Sequence, residues 1–277
     1  MSNEVNAEDA AMVDALDEVW TRIAALGAGL SEEEWKRPTE VPGWSVQDNM
    51  THLTDLEAMI LGRPAPDHAA PDGLVHVKNE PGARNERFVD ARREWTGADA
   101  LAEFVEVTRA RIAQLRSYSV EDFAADSWTP MGPGTVHDLL PFRVFDSWVH
   151  EQDMRRAVAQ PGGLGGGAAE EAMRRITGTA GYVVGKKAAA PDGTTVVIEL
   201  EAPLSETIAI GVEGGRARVL DSVPDAPTVR ITADGETYAR LACGRGDPAA
   251  ARAAGSVRIE GDQELGTRIV DQLNFLF

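Results

Sequence analysis

Three side chains of metal-binding type lie at helical spacing in the segment FRVFDSWVHEQDMRR, residues 142–156. They are Asp146, His150 and Asp153, at positions i, i+4 and i+7, and this spacing places them on one stripe of a helix. On a helical wheel, Asp146 and His150 border the apolar face and do not lie opposite it. A carboxylate and an imidazole one turn apart can bind the same ion, or they can form a structural hydrogen bond. The helix alone leaves both interpretations open.

A metal site on this helix requires a further nitrogen or oxygen donor, and four other histidines are available. His68 and His76 lie in a connection rich in proline and glycine, where we expect solvated side chains. His137 begins the same predicted helix, more than two turns from His150 and too far along the axis to share an ion. His52 lies on a different predicted helix, beside its apolar face, and is the remaining donor.

Elimination therefore gives a metal triad of His52, Asp146 and His150. Two nitrogens and one oxygen with an open fourth position are the ligands of a catalytic zinc site, although another divalent metal would also fit. Asp153 and Glu151 are candidates for residues that orient a ligand histidine through a hydrogen bond. The alternative for both carboxylates is a surface pair with a neighbouring arginine.

Four long helices are expected to position these residues. Amphipathic spacing predicts them at residues 8–27, 45–60, 98–117 and 137–158. The second begins at Ser45, whose hydroxyl can form a capping box with Asp48. Residues 63–97 form a long connection that contains a shorter helical piece. Four long helices with one long crossover predict a four-helix bundle.

A second domain follows the glycine-rich segment AQPGGLGGGAAEE, which we interpret as a boundary between domains at residues 1–160 and 168–277. An alanine-rich helix comes first. Short alternating stretches then predict five strands: TTVVIEL, ETIAIGV, ARVLD, TVRITAD and, nearer the end, VRIEG. The predicted fold class is therefore α plus α+β, with an antiparallel sheet in the second domain.

The bulk composition excludes several kinds of partner. The formal charge of −18, from 27 basic and 45 acidic residues, argues against nucleic acid or an anionic membrane surface. A single cysteine, Cys243, excludes an intrachain disulfide framework and favours a reducing compartment. The first residues lack a signal-peptide pattern, and no apolar run approaches the ~20 residues of a membrane span. We therefore expect a cytoplasmic protein.

Three segments resemble a known family. VPGWSVQDNMTHLTDLE resembles the Pro-Gly-Trp-(Ser/Thr)-Val…His-Leu segment of the mycothiol-dependent maleylpyruvate isomerase family, and RVFDSWVHEQDMRRAV resembles its matching fourth-helix segment. ARLACGRGDPAAARAAGSVRIEGDQEL is similar to the sterol-carrier-like domain that is often fused to it. The resemblance implies a DinB-like four-helix bundle followed by a sterol-carrier-like α+β domain.

The resemblance also implies chemistry. The family's metal triad maps to His52, Asp146 and His150, although the founding isomerase carries glutamate where this chain has Asp146. That departure preserves metal ligation and puts the particular isomerase reaction in doubt. The implied function is a zinc-dependent enzyme that uses mycothiol or a similar low-molecular-weight thiol. The reaction would be isomerisation or S-transfer on a small, electrophilic substrate.

An acidic substrate would need a cation near the site, since the field of the protein repels it. Arg245 in the second domain and Asn85 and Arg87 in the crossover are the substrate-binding candidates; alternatively, Arg245 forms a surface pair with Asp247. Two other functions stay open. One is a non-catalytic carrier of a small apolar ligand, with a structural metal or none, and the other is a metal-dependent hydrolase. The sequence does not indicate an oligomeric state.

Overall fold

Two compact units make up the chain, Met1–Glu171 and Ala172–Phe277. The computed structural model describes residues 6–276. The first unit is mainly helical, and the second combines helices with a five-stranded sheet. The predicted fold class, α followed by α+β, is confirmed. The predicted domain limits at residues 160 and 168 stay a prediction.

Four long helices dominate the first unit. In chain order, its helices are α1 (Ala7–Ala28), α2 (Glu32–Trp35), α3 (Val46–Ile60), α4 (Glu80–Asp90), α5 (Gly97–Arg116), α6 (Val120–Phe123) and α7 (Val136–Ala157). Helix α8 (Gly167–Gly178) begins in the first unit and ends in the second. Helices α1 and α3 each pack against both α5 and α7, and α4 packs on α3. The apolar stripes of the four long helices therefore face one common core.

Capping boxes fix where the helices of the candidate site begin. The predicted box of α3 is present, since Asp48 N–H donates to Ser45 Oγ at 3.2 Å and Ser45 N–H donates to Asp48 Oδ2 at 2.8 Å. Thr135 and Asp138 form the same arrangement at the start of α7. Each box satisfies backbone N–H groups that have no partner inside the helix. The register of both helices is thereby set from the first turn.

A short hairpin precedes α7 and was not predicted. Strand β1 (Asp126–Thr129) pairs antiparallel with β2 (Gly132–Thr135). Its two strands, of four residues each, show no alternation of apolar and polar residues, so the sequence does not indicate them. Trp128 and Met131 of this hairpin are exposed.

The second unit contains one sheet with the strand order β5-β4-β3-β6-β7. All five strands were predicted, and they are β3 (Thr195–Glu201), β4 (Glu206–Glu213), β5 (Arg216–Val219), β6 (Val229–Asp234) and β7 (Val257–Gly261). Neighbouring strands run antiparallel except β3 and β6, which run parallel. The remaining helices are α9 (Ala180–Tyr182), which continues into a π-helical turn at Val183–Lys187, α10 (Gly235–Ala242), α11 (Pro248–Ala253) and α12 (Gln263–Asp271).

None of the helices described in residues 6–276 is long and apolar enough to span a membrane.

Candidate metal centre

The three predicted ligands come together between α3 and α7. His52, Asp146 and His150 each offer one ligand atom, and these atoms all lie within 4.8 Å of one another. His52 Nε2 lies 3.5 Å from Asp146 Oδ2, and His150 Nε2 lies 3.5 Å from Asp146 Oδ1. Two ligand atoms about 2.1 Å from a tetrahedral ion lie roughly 3.4 Å apart. The spacing therefore fits a divalent ion between the two helices.

The antiparallel course of α3 and α7 explains this meeting. Asn49, near the start of α3, contacts His150, whereas Glu57, two turns later, contacts Arg143. His52 lies between these two contacts on α3 and therefore faces the turn of α7 that carries Asp146.

A hydrogen bond fixes which nitrogen of His150 can bind a metal. His150 Nδ1 lies 2.6 Å from Asn49 Oδ1. The amide nitrogen of Asn49 donates to the Ser45 carbonyl oxygen and to Thr39 Oγ1, so the amide oxygen must face the histidine. His150 Nδ1 therefore carries the proton and donates it, which leaves Nε2 as an unprotonated ligand.

The two carboxylates proposed to orient a histidine have different partners. Asp153 is fully buried, and its Oδ2 lies 3.3 Å from His150 Nδ1 while its Oδ1 accepts from Arg156 at 2.6 Å. Glu151 is also fully buried, but it pairs with Arg22 of α1 at 2.9 Å. Both carboxylates thus lie in buried ion pairs. Asp153 contacts a candidate ligand histidine, and its orienting role stays a prediction.

A buried ionic chain continues from Asp146 across the core. Arg143 Nη1 donates to Asp146 Oδ2 at 2.7 Å, and Arg143 Nε donates to Glu57 Oε1 at 2.6 Å. Arg111 of α5 donates to Glu57 Oε2 at 3.2 Å. The guanidinium atom Nη2 of Arg143 is buried without a hydrogen-bond partner among the described residues. The sequence pattern does not single out Arg143 or Glu57; their one signal is a charged residue at a core position of a helix.

Burial and neighbouring charges shift the pKa values of the triad. Burial raises the pKa of the Asp146 carboxyl, but Arg143 and the two histidines outweigh it and hold this pKa well below its usual range. Burial lowers the pKa of His52 below its ordinary value, and the contact with Asp146 offsets this only in part. Burial also lowers the pKa of His150, but hydrogen bonds with Asp146 and Asp153 outweigh it, so this pKa is raised. Asp146 is therefore ionised and available as a ligand.

The Pro-Gly-Trp segment forms a wall of the site. The ring of Trp44 lies 5.0 Å from the ring centre of His52 and 5.9 Å from that of His150. Trp44 itself is buried. An apolar wall of this kind excludes water from one side of both imidazoles.

The histidines excluded from the triad have carboxylate partners. His68 Nε2 lies 2.7 Å from Asp90, and His76 Nε2 lies 2.9 Å from Glu86. The expectation that His68 and His76 are solvated is wrong, because helix α4 brings a carboxylate to each ring. His137 bonds to Asp9 of α1 at 2.6 Å.

The substrate-binding candidates of the crossover lie on α4. Asn85 and Arg87 are partly exposed there, and Arg84, one turn before Arg87, lies 5.6 Å above the exposed Trp128 ring. No carboxylate of the described residues forms an ion pair with either arginine. The positive charge of both arginines lowers the pKa of the Asp55 carboxyl on α3, but burial outweighs this effect and raises the pKa to about 7. Arg84 and Arg87 therefore place positive charge without an ion-pair partner among the described residues on the α3–α4 face.

Arg245 lies in the second unit, after α10. Its Nη1 donates to the carbonyl oxygen of Cys243 at 2.6 Å. Cys243 is a buried free cysteine. The substrate contact of Arg245 stays a prediction.

Curated relatives and solved structures show similarity along most of the chain. An uncharacterised protein of Mycobacterium tuberculosis is 25% identical over 214 residues, which are 73% of this chain and 77% of the relative. The crystal structure of a mycothiol-dependent maleylpyruvate isomerase is 18% identical with a TM-score of 0.48, covering 85% of this chain and 88% of that one. A mutant of that isomerase matches to the same extent.

Two family models match in succession. The model described as "Mycothiol maleylpyruvate isomerase N-terminal domain" matches residues 16–155, and the model described as "MDMPI C-terminal domain" matches residues 170–268. The first match contains all three residues of the candidate metal centre, and the second contains the five-stranded sheet. The chain belongs to the mycothiol-dependent maleylpyruvate isomerase family.

Proposed function

We propose that this protein is a zinc-dependent enzyme that uses mycothiol or a similar low-molecular-weight thiol for isomerisation or S-transfer on a small, electrophilic substrate. The observation that carries the proposal is the convergence of His52, Asp146 and His150, with ligand atoms within 4.8 Å of one another. Family membership supports the thiol as cosubstrate.

The donor set fits zinc better than magnesium or calcium, because two of its three atoms are imidazole nitrogens. The Asp146 side chain is 30% exposed, whereas those of His52 and His150 are 12% and 8% exposed. Solvent therefore reaches the triad from the aspartate side, and a cosubstrate would enter there. A zinc ion with an open position would lower the pKa of a bound thiol and favour its thiolate.

The residues around the triad would orient and screen the reactants. Asn49 and Asp153 hold the His150 ring in the tautomer that exposes Nε2. Arg143 keeps Asp146 ionised. Arg87 and Asn85 on α4 are our proposed contacts for an anionic group of the substrate, because Arg87 forms no ion pair with a carboxylate of the described residues.

Metal analysis with a thiol-binding assay tests this function. We expect roughly one zinc per chain after purification, as for a mononuclear site. His52→Ala and His150→Ala should lose both the metal and the thermal shift produced by added thiol. His137→Ala is the matched control, since His137 bonds to Asp9 and lies outside the triad; it should retain both.

Three outcomes would contradict the proposal. Wild-type protein that neither contains nor takes up a divalent metal would exclude the metal enzyme. Metal-free protein that binds a hydrophobic ligand would favour the carrier. Hydrolytic activity without any thiol would favour the metal-dependent hydrolase.

A further inference from the structure

We propose that Trp44 is a positioning residue for the two ligand histidines and that Glu86 of α4 holds it in place. The crossover between α3 and α5 would then help to set the geometry of the metal centre, in addition to the helices that carry its ligands. This inference rests on the proposed metal function and assigns a role to the Pro-Gly-Trp segment.

The two ligand histidines differ in how their rings are held. His150 Nδ1 is fixed by Asn49 at 2.6 Å. For His52, Asp146 at 3.5 Å is the one carboxylate partner within the described part of the chain. A ligand histidine normally has its second nitrogen bonded to a group that sets the ring orientation. His52 therefore needs another restraint. Two rings pack against it, each with its centre 5.0 Å from that of His52: the ring of Trp44 and the ring of His150, which is itself a candidate ligand. Trp44 is thus the ring outside the triad that is in position to supply the restraint.

The position of Trp44 is determined by Glu86. The indole N–H donates to Glu86 Oε2 at 2.9 Å. The same carboxylate contacts His76 Nε2 at 2.9 Å and accepts from Arg93 Nη2 at 2.6 Å. Glu86 is 1% exposed, so its charge is stable there only because these donors surround it. The removal of one donor or of the charge disturbs the whole cluster.

The backbone conformation and close packing before Trp44 require a glycine, which is Gly43. Its φ is +80°, which favours glycine, and a β-carbon at this position would overlap the imidazole of His76. The Gly43 carbonyl oxygen also accepts from Arg93 Nη2 at 3.3 Å. His76 and Arg93, both in or beside the crossover helix, thus hold the backbone next to Trp44.

Metal affinity of the full-length protein tests the inference. Glu86→Gln preserves the shape of the side chain and removes its charge, and Trp44→Leu removes the ring and the indole N–H. We expect both variants to bind zinc about 10–100-fold more weakly, the range found when groups that orient metal ligands are lost. The Co²⁺-substituted variants should also show altered absorption bands, which report on coordination geometry and which a general loss of stability does not change.

Glu103→Gln is the matched control. Glu103 of α5 accepts a hydrogen bond from Arg92 at 2.6 Å and so also connects the crossover with a long helix. It has no hydrogen bond with Trp44. Its zinc affinity should stay within about twofold of wild type. Equal losses in Glu86→Gln and Glu103→Gln, or none in Glu86→Gln and Trp44→Leu, would overturn the inference.

A metal-free measurement separates the inference from the proposed function. If wild-type protein binds no divalent metal, the proposed function fails. The His52 ring can still be followed by ¹⁵N NMR. Trp44→Leu should shift and broaden the His52 resonances while leaving those of His137 unchanged. Unaltered His52 resonances in that variant would refute the positioning role, whatever the metal result.

Discussion

At the scale of single residues, Asp146 is the point where the candidate metal centre meets the buried ionic chain. One carboxylate oxygen faces His52 and accepts from Arg143, and the other faces His150. Arg143 withdraws part of the negative charge that Asp146 could give to a metal. A less strongly neutralised ion is a stronger Lewis acid toward a bound thiol. Arg143 would thus raise the reactivity of the site at some cost in metal affinity.

The opposite pKa shifts of the two ligand histidines lead to a prediction about proton competition. A metal can bind Nε2 only when that nitrogen carries no proton, so metal affinity falls where the doubly protonated imidazolium is stable. The pKa of His150 is raised and that of His52 is lowered. His150 therefore protonates first as the pH falls. We expect zinc affinity to fall by about tenfold per pH unit once the pH drops below the raised pKa of His150.

NMR titration of the metal-free protein measures this directly. His150 should titrate above the ordinary histidine value and His52 below it. Asp153→Asn removes a partner that raises the His150 pKa, so the loss of zinc affinity should move to lower pH. His137 serves as an internal reference, since its raised pKa depends on its hydrogen bond with Asp9. A His150 pKa at or below that of His52 would contradict the prediction.

The sequence alone could indicate the candidate ligands but not all of their surroundings. Asp146 and His150 share one helix, so their spacing is visible, and His52 follows from the small number of histidines. Trp44 and Glu86 are 42 residues apart, and their hydrogen bond leaves no periodic signal. The contact between Asn49 and His150 spans 101 residues. Such contacts depend on how the helices pack, which local patterns do not encode.

At the scale of elements, the spacing of apolar residues made α3 and α7 predictable, and α3 also has a chemically defined start. The box at Ser45 and Asp48 marks the first turn of α3 in both sequence and structure. The predicted strands of the second unit alternate clearly or form apolar runs, and all are present. The parallel pairing of β3 with β6 and the β1–β2 hairpin could not be predicted, because strand order and short glycine-containing strands have no comparable signal.

The cap of α3 gives a prediction about stability. Ser45→Ala removes the acceptor for Asp48 N–H at the start of the helix that carries His52. The free energy of unfolding should fall by about 1 kcal/mol, within the range of roughly 0.5–2 kcal/mol for lost caps. Urea denaturation of the full-length protein measures it. Ser31→Ala, at the four-residue helix α2, is the control and should cost less, because that box is exposed. Equal losses in both variants would contradict the expectation that the α3 cap contributes more than the α2 cap to the free energy of unfolding.

At the scale of the whole molecule, the proposed metal chemistry belongs to the first unit. All five histidines lie before residue 172, and the single cysteine of the second unit is buried. The candidate ligands and the groups that orient them, Asn49, Asp153 and Arg143, also lie in Met1–Glu171. A nitrogen-rich zinc site therefore has no alternative set of donors in Ala172–Phe277.

Hydrogen exchange of the full-length protein tests this division. A metal that binds only the folded state stabilises it by RT ln(1 + [L]/Kd), about 2.7 kcal/mol at a free concentration of 100 times Kd. The added protection should appear in peptides of α3 and α7, because these helices carry the candidate ligands and would have to open together to release an ion. Peptides of the five-stranded sheet should exchange as before. Zinc-induced protection confined to Ala172–Phe277 would place the metal outside the triad. If exchange around Arg245 slows only after the thiol and substrate are added, this would support the predicted substrate contact of Arg245.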